Sequence, residues 1–218
     1  KQKNIEPTPE NIRLIIENDP NLKDLFGQDI FTKRIRLTRK PFWRTADNSE
    51  FWNDTDDAEL RLYLGSSRYG INARNTIYDV FNSIASRQAY HPVKDYLDGL
   101  EWDGVPRMEN LFIDSLGIED NPYSRAVTKL MLVGAVKRIY EPACFMDYVM
   151  VFVGQEGIGK SKMLNMLAVN NEWYAGDCPI VGKEAFENIR GKWIVEMAEL
   201  RDIDKRDSGT VKSFISKT

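Results

Sequence analysis

Gly154-Gln155-Glu156-Gly157-Ile158-Gly159-Lys160-Ser161 carries the spacing G-x-x-x-x-G-K-S, and each fixed residue type in it answers a demand that a phosphate group makes. Glycines at 154, 157 and 159 reach backbone angles that other residues avoid, so successive N–H groups can turn inward around an anion. A helix opening at the end of the loop aims its unsatisfied N–H groups and partial positive charge at the same anion. Lys160 is placed to reach the β- and γ-phosphates of a nucleotide, and Ser161 to offer its hydroxyl to Mg²⁺. The cofactors this pattern predicts are ATP and Mg²⁺.

A loop of this kind needs a strand to hold it and a helix to follow it. Tyr148-Val149-Met150-Val151-Phe152-Val153 is an apolar run of strand length directly before it, and Lys162-Met163-Leu164-Asn165-Met166-Leu167-Ala168 reads as the helix. A second strand must bring in an acid. Gly191-Lys192 leads into Trp193-Ile194-Val195-Glu196-Met197-Ala198-Glu199-Leu200, an apolar run that ends in carboxylates. An acid there would hold the water shell of Mg²⁺ and orient the attacking water. Glu199 is the preferred catalytic and metal-side carboxylate, with Glu196 second. Positions three apart on a strand face opposite sides of the sheet. Only one of the two acids can point at the loop, unless the strand ends between them. The 39 residues from Lys160 to Glu199 are a short spacing, as compact ring-forming ATPases have it.

The remaining composition narrows the field. A chain of 218 residues makes one large domain or two small ones. No apolar stretch approaches the roughly 20 residues that span a bilayer. Lys1-Gln2-Lys3-Asn4-Ile5-Glu6-Pro7 lacks the apolar core of a signal peptide and an initiator Met. The expectation is a cytoplasmic piece of a longer protein, with no membrane partner. Cys144 and Cys178 stand in no metal or redox spacing and read as reduced packing residues. His91, the only histidine, precedes Pro92 and reads as a turn residue rather than a zinc ligand.

The formal net charge of −3 is no global signature of a nucleic-acid binder, yet the charge is unevenly spread. Residues 28–46 hold Lys33, Arg34, Arg36, Arg39, Lys40 and Arg44 against Asp29 alone. Phe31, Phe42 and Trp43 lie among them, a composition suited to tracking phosphates and stacking bases. Lys33, Arg34, Arg36, Arg39, Lys40, Trp43 and Arg44 are therefore candidate DNA contacts. The bland reading is a β-hairpin with a solvated outer face and aromatics in the core. Residues 47–60, with Asp47, Glu50, Asp54, Asp56, Asp57 and Glu59 and no basic residue, would then pair with it. Helical spacing is clear at residues 11–16 and 77–89, a helix is favoured over 56–64, and residues 30–37 suggest a short strand pair. Two more helices are predicted over 107–116 and 122–140, and another over 183–189. Trp102-Asp103-Gly104-Val105-Pro106-Arg107 is a dense turn signal, and a domain boundary is expected over 98–107.

Five segments are distinctive when taken in order. They are His91-Pro92-Val93-Lys94-Asp95-Tyr96-Leu97, Leu100-Glu101-Trp102-Asp103-Gly104-Val105-Pro106-Arg107, Gly134-Ala135-Val136-Lys137-Arg138-Ile139-Tyr140-Glu141-Pro142, the 154–161 loop and the 191–200 run. In these the chain resembles the virulence-associated protein E family of phages and genomic islands, which is similar to the superfamily 3 helicases. The resemblance covers roughly residues 90–218. It implies an α/β fold whose core is an AAA+-like, superfamily 3 helicase-like P-loop NTPase, truncated C-terminally, behind a mainly helical N-terminal domain with the basic and aromatic strand pair. The expected division is residues 1–100 for that domain, 101–145 for a helical lead-in, and 146–218 for the incomplete ATPase core.

The resemblance further implies Mg²⁺-dependent ATP hydrolysis coupled to DNA unwinding or loading in phage or mobile-element replication. The partners would be single-stranded or forked DNA and further copies of the protein in a homo-oligomeric ring, in a bacterial host cell. Lys160 and Ser161 correspond to the family's phosphate lysine and Mg²⁺ hydroxyl, and Glu199 falls at its second acidic motif. The sensor residue and arginine finger would lie beyond Thr218, as would a strand between those bearing the two motifs. A helix expected from Ser208, carrying Val211, Phe214 and Ile215, ends the chain. Losing an arginine finger costs about 10³–10⁵ in turnover where one is used, so this piece alone is expected to bind nucleotide poorly and turn it over slowly.

Two alternatives stay open from the residues themselves. One is a P-loop small-molecule kinase, which would ignore DNA. The other is a non-catalytic module whose partner contacts are switched by a nucleotide. A GTPase is disfavoured because no Asn-Lys-x-Asp segment exists, and a transporter ATPase because no Leu-Ser-Gly-Gly segment does.

Overall fold

Residues 5–146, 148–178 and 187–197 are described by the computed structural model, and the chain falls into two units, Lys1–Pro92 and Val93–Thr218. In the first, Thr8 caps helix α1 (Pro9–Asn18) by accepting from Asn11 N, and Pro9 stands at the helix start, where its missing N–H leaves no bond unmade. Strands β1 (Phe26–Asp29) and β2 (Arg34–Leu37) pair antiparallel, Phe26 opposite Leu37 and Asp29 opposite Arg34. Residues 30–33 are thus the turn of this hairpin rather than the start of a strand pair over 30–37. The buried Asp29 carboxylate decides this, because its Oδ1 accepts from Phe31 N and Thr32 N at 2.9 and 3.0 Å and curls the chain. Helices α2 (Asp54–Gly65) and α3 (Arg74–Arg87) complete the unit. Ile12 and Ile16 of α1, Leu60 and Leu64 of α2, and Ile77, Phe81 and Ile84 of α3 close over Phe26. Trp52 and Phe81 pack on the Phe26 ring with centroids at 5.4 and 4.4 Å.

Among the described residues the second unit is mainly helical with one small sheet, so helices and short sheets are mixed. Helix α4 (Pro92–Asp98) is tied to α6 (Pro122–Tyr140) by the Tyr140 hydroxyl, which donates to Asp98 Oδ1 at 2.5 Å. Between them a 3₁₀ turn, Met108–Asn110, runs into α5 (Leu111–Leu116). Beyond them lie α7 (Lys160–Leu167) and the parallel two-residue strands β3 (Tyr174–Ala175) and β4 (Ile194–Val195). Gly134, inside α6, lets residue Met146 fold onto the helix, since a Cβ there would stand 2.1 Å from the Met146 sulfur. The Trp193 indole N–H donates to Ala135 O at 2.9 Å, which fixes the start of β4 against α6.

The apolar run over 148–153 does not become a strand. No strand pairs with it among the described residues, Val151 and Val153 are exposed, and Phe152 packs edge-on to Phe112 at 5.1 Å. Its composition predicts strand because apolar, β-branched residues suit a pleated surface, but a strand exists only where a ladder partner is present. Among the described residues, no helix is long and apolar enough to cross a membrane.

The first unit holds a buried ion pair that doubles as a helix cap. Asn53 caps α2 by accepting from Thr55 N and Asp56 N, and Asp56 Oδ2 accepts in return from Asn53 N at 2.9 Å. The Asp56 side chain is wholly buried, and its oxygens also take the Arg44 guanidinium and, at 2.9 Å, the Trp43 indole N–H. Burial alone would raise this carboxyl; the hydrogen bonds from Arg44, Trp43 and Asn53 outweigh it and hold Asp56 below the usual carboxylate range. With the folded value below the unfolded one, this stabilisation is present above about pH 3.9 and is lost as pH falls through the folded value. Removing one partner of a buried pair costs about 3–5 kcal/mol. Arg44→Met should therefore lower stability by that amount in chemical denaturation. Asp56→Asn should flatten the acid limb of the stability–pH curve followed by tryptophan fluorescence.

Candidate functional site

The 154–161 loop turns through two left-handed residues, Gly157 at φ 83° and Gly159 at φ 93°, and Gly159 is the residue before α7. At Gly154 the constraint is space: a Cβ there would stand 3.1 Å from Ile158 Cδ1. The loop is then gathered by its own lysine, whose Nζ donates to Gly154 O at 3.0 Å and Gln155 O at 2.8 Å. Helix α7 buries Met163 and Leu164, and its contacts are with β3 and β4. Residues 154–161 thus come together as one turn, with Lys160 and Ser161 opening the helix behind it.

Among the described residues, Glu196 is an acid that meets this loop. β4 ends at Val195, so Glu196 stands at the strand's C-terminal edge. Its backbone stays in the ladder, with Glu196 N donating to Ala175 O at 2.7 Å and Cys178 N donating to Glu196 O at 3.0 Å. Its carboxylate turns to α7, where Ser161 Oγ donates to Oε1 at 2.7 Å, and the Tyr174 hydroxyl donates to Oε2. Burial, and then the hydrogen bond to Glu196, push the Tyr174 phenol well above its ordinary value. Glu199 lies outside the described residues, as do most of the helix expected over 183–189 and the one expected from Ser208. Tyr174 carries no motif that marks it in the sequence; only the parallel register, Tyr174 opposite Ile194, brings it to Glu196.

These residues fit a hard dication that shares its ligands with phosphate. A serine that gives its only proton to a carboxylate turns its lone pairs elsewhere, toward a cation. Mg²⁺ is commonly held by one or two protein oxygens with phosphate and water completing the shell. Among the described residues no group of three or more His, Cys, Asp or Glu could hold a metal by itself. Neither Cys144 nor Cys178 is in a disulfide.

The basic stretch of the first unit is largely spent inside that unit. Arg44 is buried on Asp56, so it anchors the fold instead of a phosphate; its neighbour Trp43 gives its N–H to Asp56 and packs edge-on to Trp52. Arg36 pairs with Glu50. Arg39 donates to Lys23 O and Pro20 O, and Lys40 to Thr45 O and Asn48 Oδ1. Lys33 and Arg34 are exposed at the hairpin end, the Arg34 guanidinium 3.8 Å above the Phe51 ring. The acidic block answers the basic one through Glu50, Asp47 and Asp56, because attraction and burial of the aromatics draw the two segments together.

A left-handed residue with a Cβ costs about 1–2 kcal/mol. Gly159→Ala should lower the denaturation midpoint correspondingly, with the strain confined to the turn before α7, as amide exchange across residues 159–168 would show.

No curated protein matches the chain. A family model, the virulence-associated protein E-like domain, matches residues 97–218, which takes in α5 to α7, the glycine loop, Tyr174 and Glu196. More than half of the sequence lies within that match, and the chain belongs to the virulence-associated protein E-like family.

Proposed function

We propose that the second unit is a P-loop ATPase that binds ATP and Mg²⁺ on the 154–161 loop. The observation that carries this reading is the Ser161–Glu196 hydrogen bond at the mouth of a loop bent by Gly157 and Gly159. It joins the two halves of a nucleoside triphosphate site, one from the loop and one from the end of a strand. The loop N–H groups and the start of α7 take the phosphate oxygens, and the Lys160 ammonium balances their charge. Mg²⁺, when bound, would supply positive charge that offsets the charge of the phosphates. Ser161 offers its oxygen on that side, and Glu196 holds the serine and orients the water around it. Glu199, three residues further on, is assigned to positioning the attacking water.

The family ties the chain to phages and mobile elements. On that basis we extend the reading to DNA unwinding or loading during their replication, by a ring of subunits with an AAA+-like, superfamily 3 helicase-like core, on single-stranded or forked DNA. Lys33 and Arg34, the exposed pair at the hairpin end, are the basic residues left best placed to meet a phosphate backbone.

The test is binding of a fluorescent ATP analogue to the chain, then hydrolysis with and without single-stranded DNA. Lys160→Ala removes a charged hydrogen-bond donor and should weaken binding about tenfold or more. Glu199→Gln should keep nucleotide binding and block turnover. If Glu196→Gln does so while Glu199→Gln is harmless, the roles of the two acids are exchanged. Binding indifferent to Lys160 would overturn the nucleotide reading, and hydrolysis indifferent to DNA would favour a kinase or a nucleotide-switched module. The double charge reversal Lys33→Glu, Arg34→Glu should reduce the salt slope of oligonucleotide binding by up to about two.

A further inference from the structure

Glu196 has two carboxylate oxygens and each receives a hydroxyl, Ser161 on Oε1 and Tyr174 on Oε2. The first partner belongs to the phosphate loop. The second does not: Tyr174 comes from β3, half-buried, on the strand paired with that of the acid. We propose that Tyr174 is a positioning residue for the metal side of this site, holding the Glu196 carboxylate in the one orientation that leaves Oε1 for Ser161. The inference rests on the nucleotide reading above and adds a residue to it.

Three observations carry it. A carboxylate at the end of a two-residue strand has free rotation about its side-chain bonds unless both oxygens are anchored, and here a rigid ring with one swinging hydroxyl anchors the far one. The phenol's place is kept open by Gly176, where a Cβ would stand 3.1 Å from Tyr174 Oη and 3.2 Å from Cε1. The donor is also neutral. A lysine or arginine in the same place would cancel the carboxylate's charge and compete with a cation, whereas a phenol fixes the geometry and leaves the negative charge for Mg²⁺. Trp173 and Trp193, whose backbones join at 2.7 Å just before the two strands, hold β3 and β4 in the register that brings the pair together.

Partners that orient a metal-side group typically matter by about 10–100-fold in metal affinity. The experiment is a titration of Mg²⁺ against binding of N-methylanthraniloyl ATP by the full chain, repeated in EDTA. Tyr174→Phe keeps the ring and deletes the hydroxyl. It should raise the Mg²⁺ concentration at half-effect by about tenfold or more, with affinity for the nucleotide in EDTA unchanged. Gly176→Ala, which crowds the phenol from the other side, should shift the Mg²⁺ midpoint in the same direction while leaving the hydroxyl present. A Tyr174→Phe variant with the wild-type Mg²⁺ midpoint overturns the role of Tyr174 and leaves the nucleotide site standing. A wild type whose binding ignores Lys160→Ala overturns the nucleotide site and this proposal with it. Equal losses with and without Mg²⁺ in Tyr174→Phe would show a packing residue and overturn the positioning role.

Discussion

The Glu196 carboxylate is the point through which the glycine loop of the second unit is tied to its small sheet. Its two oxygens join α7 through Ser161 and β3 through Tyr174, while its own backbone continues the ladder of β4. Without it, the glycine loop would be a turn ahead of an eight-residue helix, and isolated helices of that length are unstable in water. With it, the first turn of α7 is held to a sheet whose strands are only two residues long. Hydrogen bonds to a charged acceptor are among the stronger ones a protein makes, and this one links segments 35 residues apart.

The first unit is organised by a carboxylate as well, with a different consequence. Asp56 is fully buried and accepts from Arg44, Trp43 and the backbone of Asn53. A buried charge so completely satisfied has no capacity left for a ligand, and its partners are committed with it. Glu196 is only half-buried and receives neutral hydroxyls, so its negative charge is not cancelled. The contrast separates an acid that maintains a fold from one that can serve a cation: the partners' charge decides, more than the acid's own identity.

The same distinction sorts the basic residues. Arg36 and Arg44 are paired with carboxylates that follow them in sequence, and Arg39 and Lys40 close turns through backbone oxygens. Guanidinium groups suit such bidentate, partly buried duty. The pair at the β1–β2 turn, Lys33 and Arg34, is exposed, with Arg34 stacked on the Phe51 ring.

How much of this was legible without coordinates follows from the range of the interactions involved. Gly154, Gly157, Gly159, Lys160 and Ser161 are adjacent in the chain, so their spacing alone predicts a turn into a helix, and α7 begins at Lys160. Helix α6 was legible for the same reason, with Asn121-Pro122 opening it and Glu141-Pro142 closing it. The meeting of Glu196 with Ser161 was not, because it depends on the residue at which β4 stops, and that is set by pairing with β3. Nor was Tyr174, which meets Glu196 only through parallel register. The run over 148–153 has the composition of a strand and lacks one, since apolarity is a property of the residues but a ladder is a property of two segments. Arg44 and Lys33 look alike in sequence; burial against Asp56, which no local pattern encodes, makes one a piece of the core and leaves the other on the surface. Local geometry, then, was determined by the sequence itself, while the identity of each side chain's partner was decided only when the chain closed on itself.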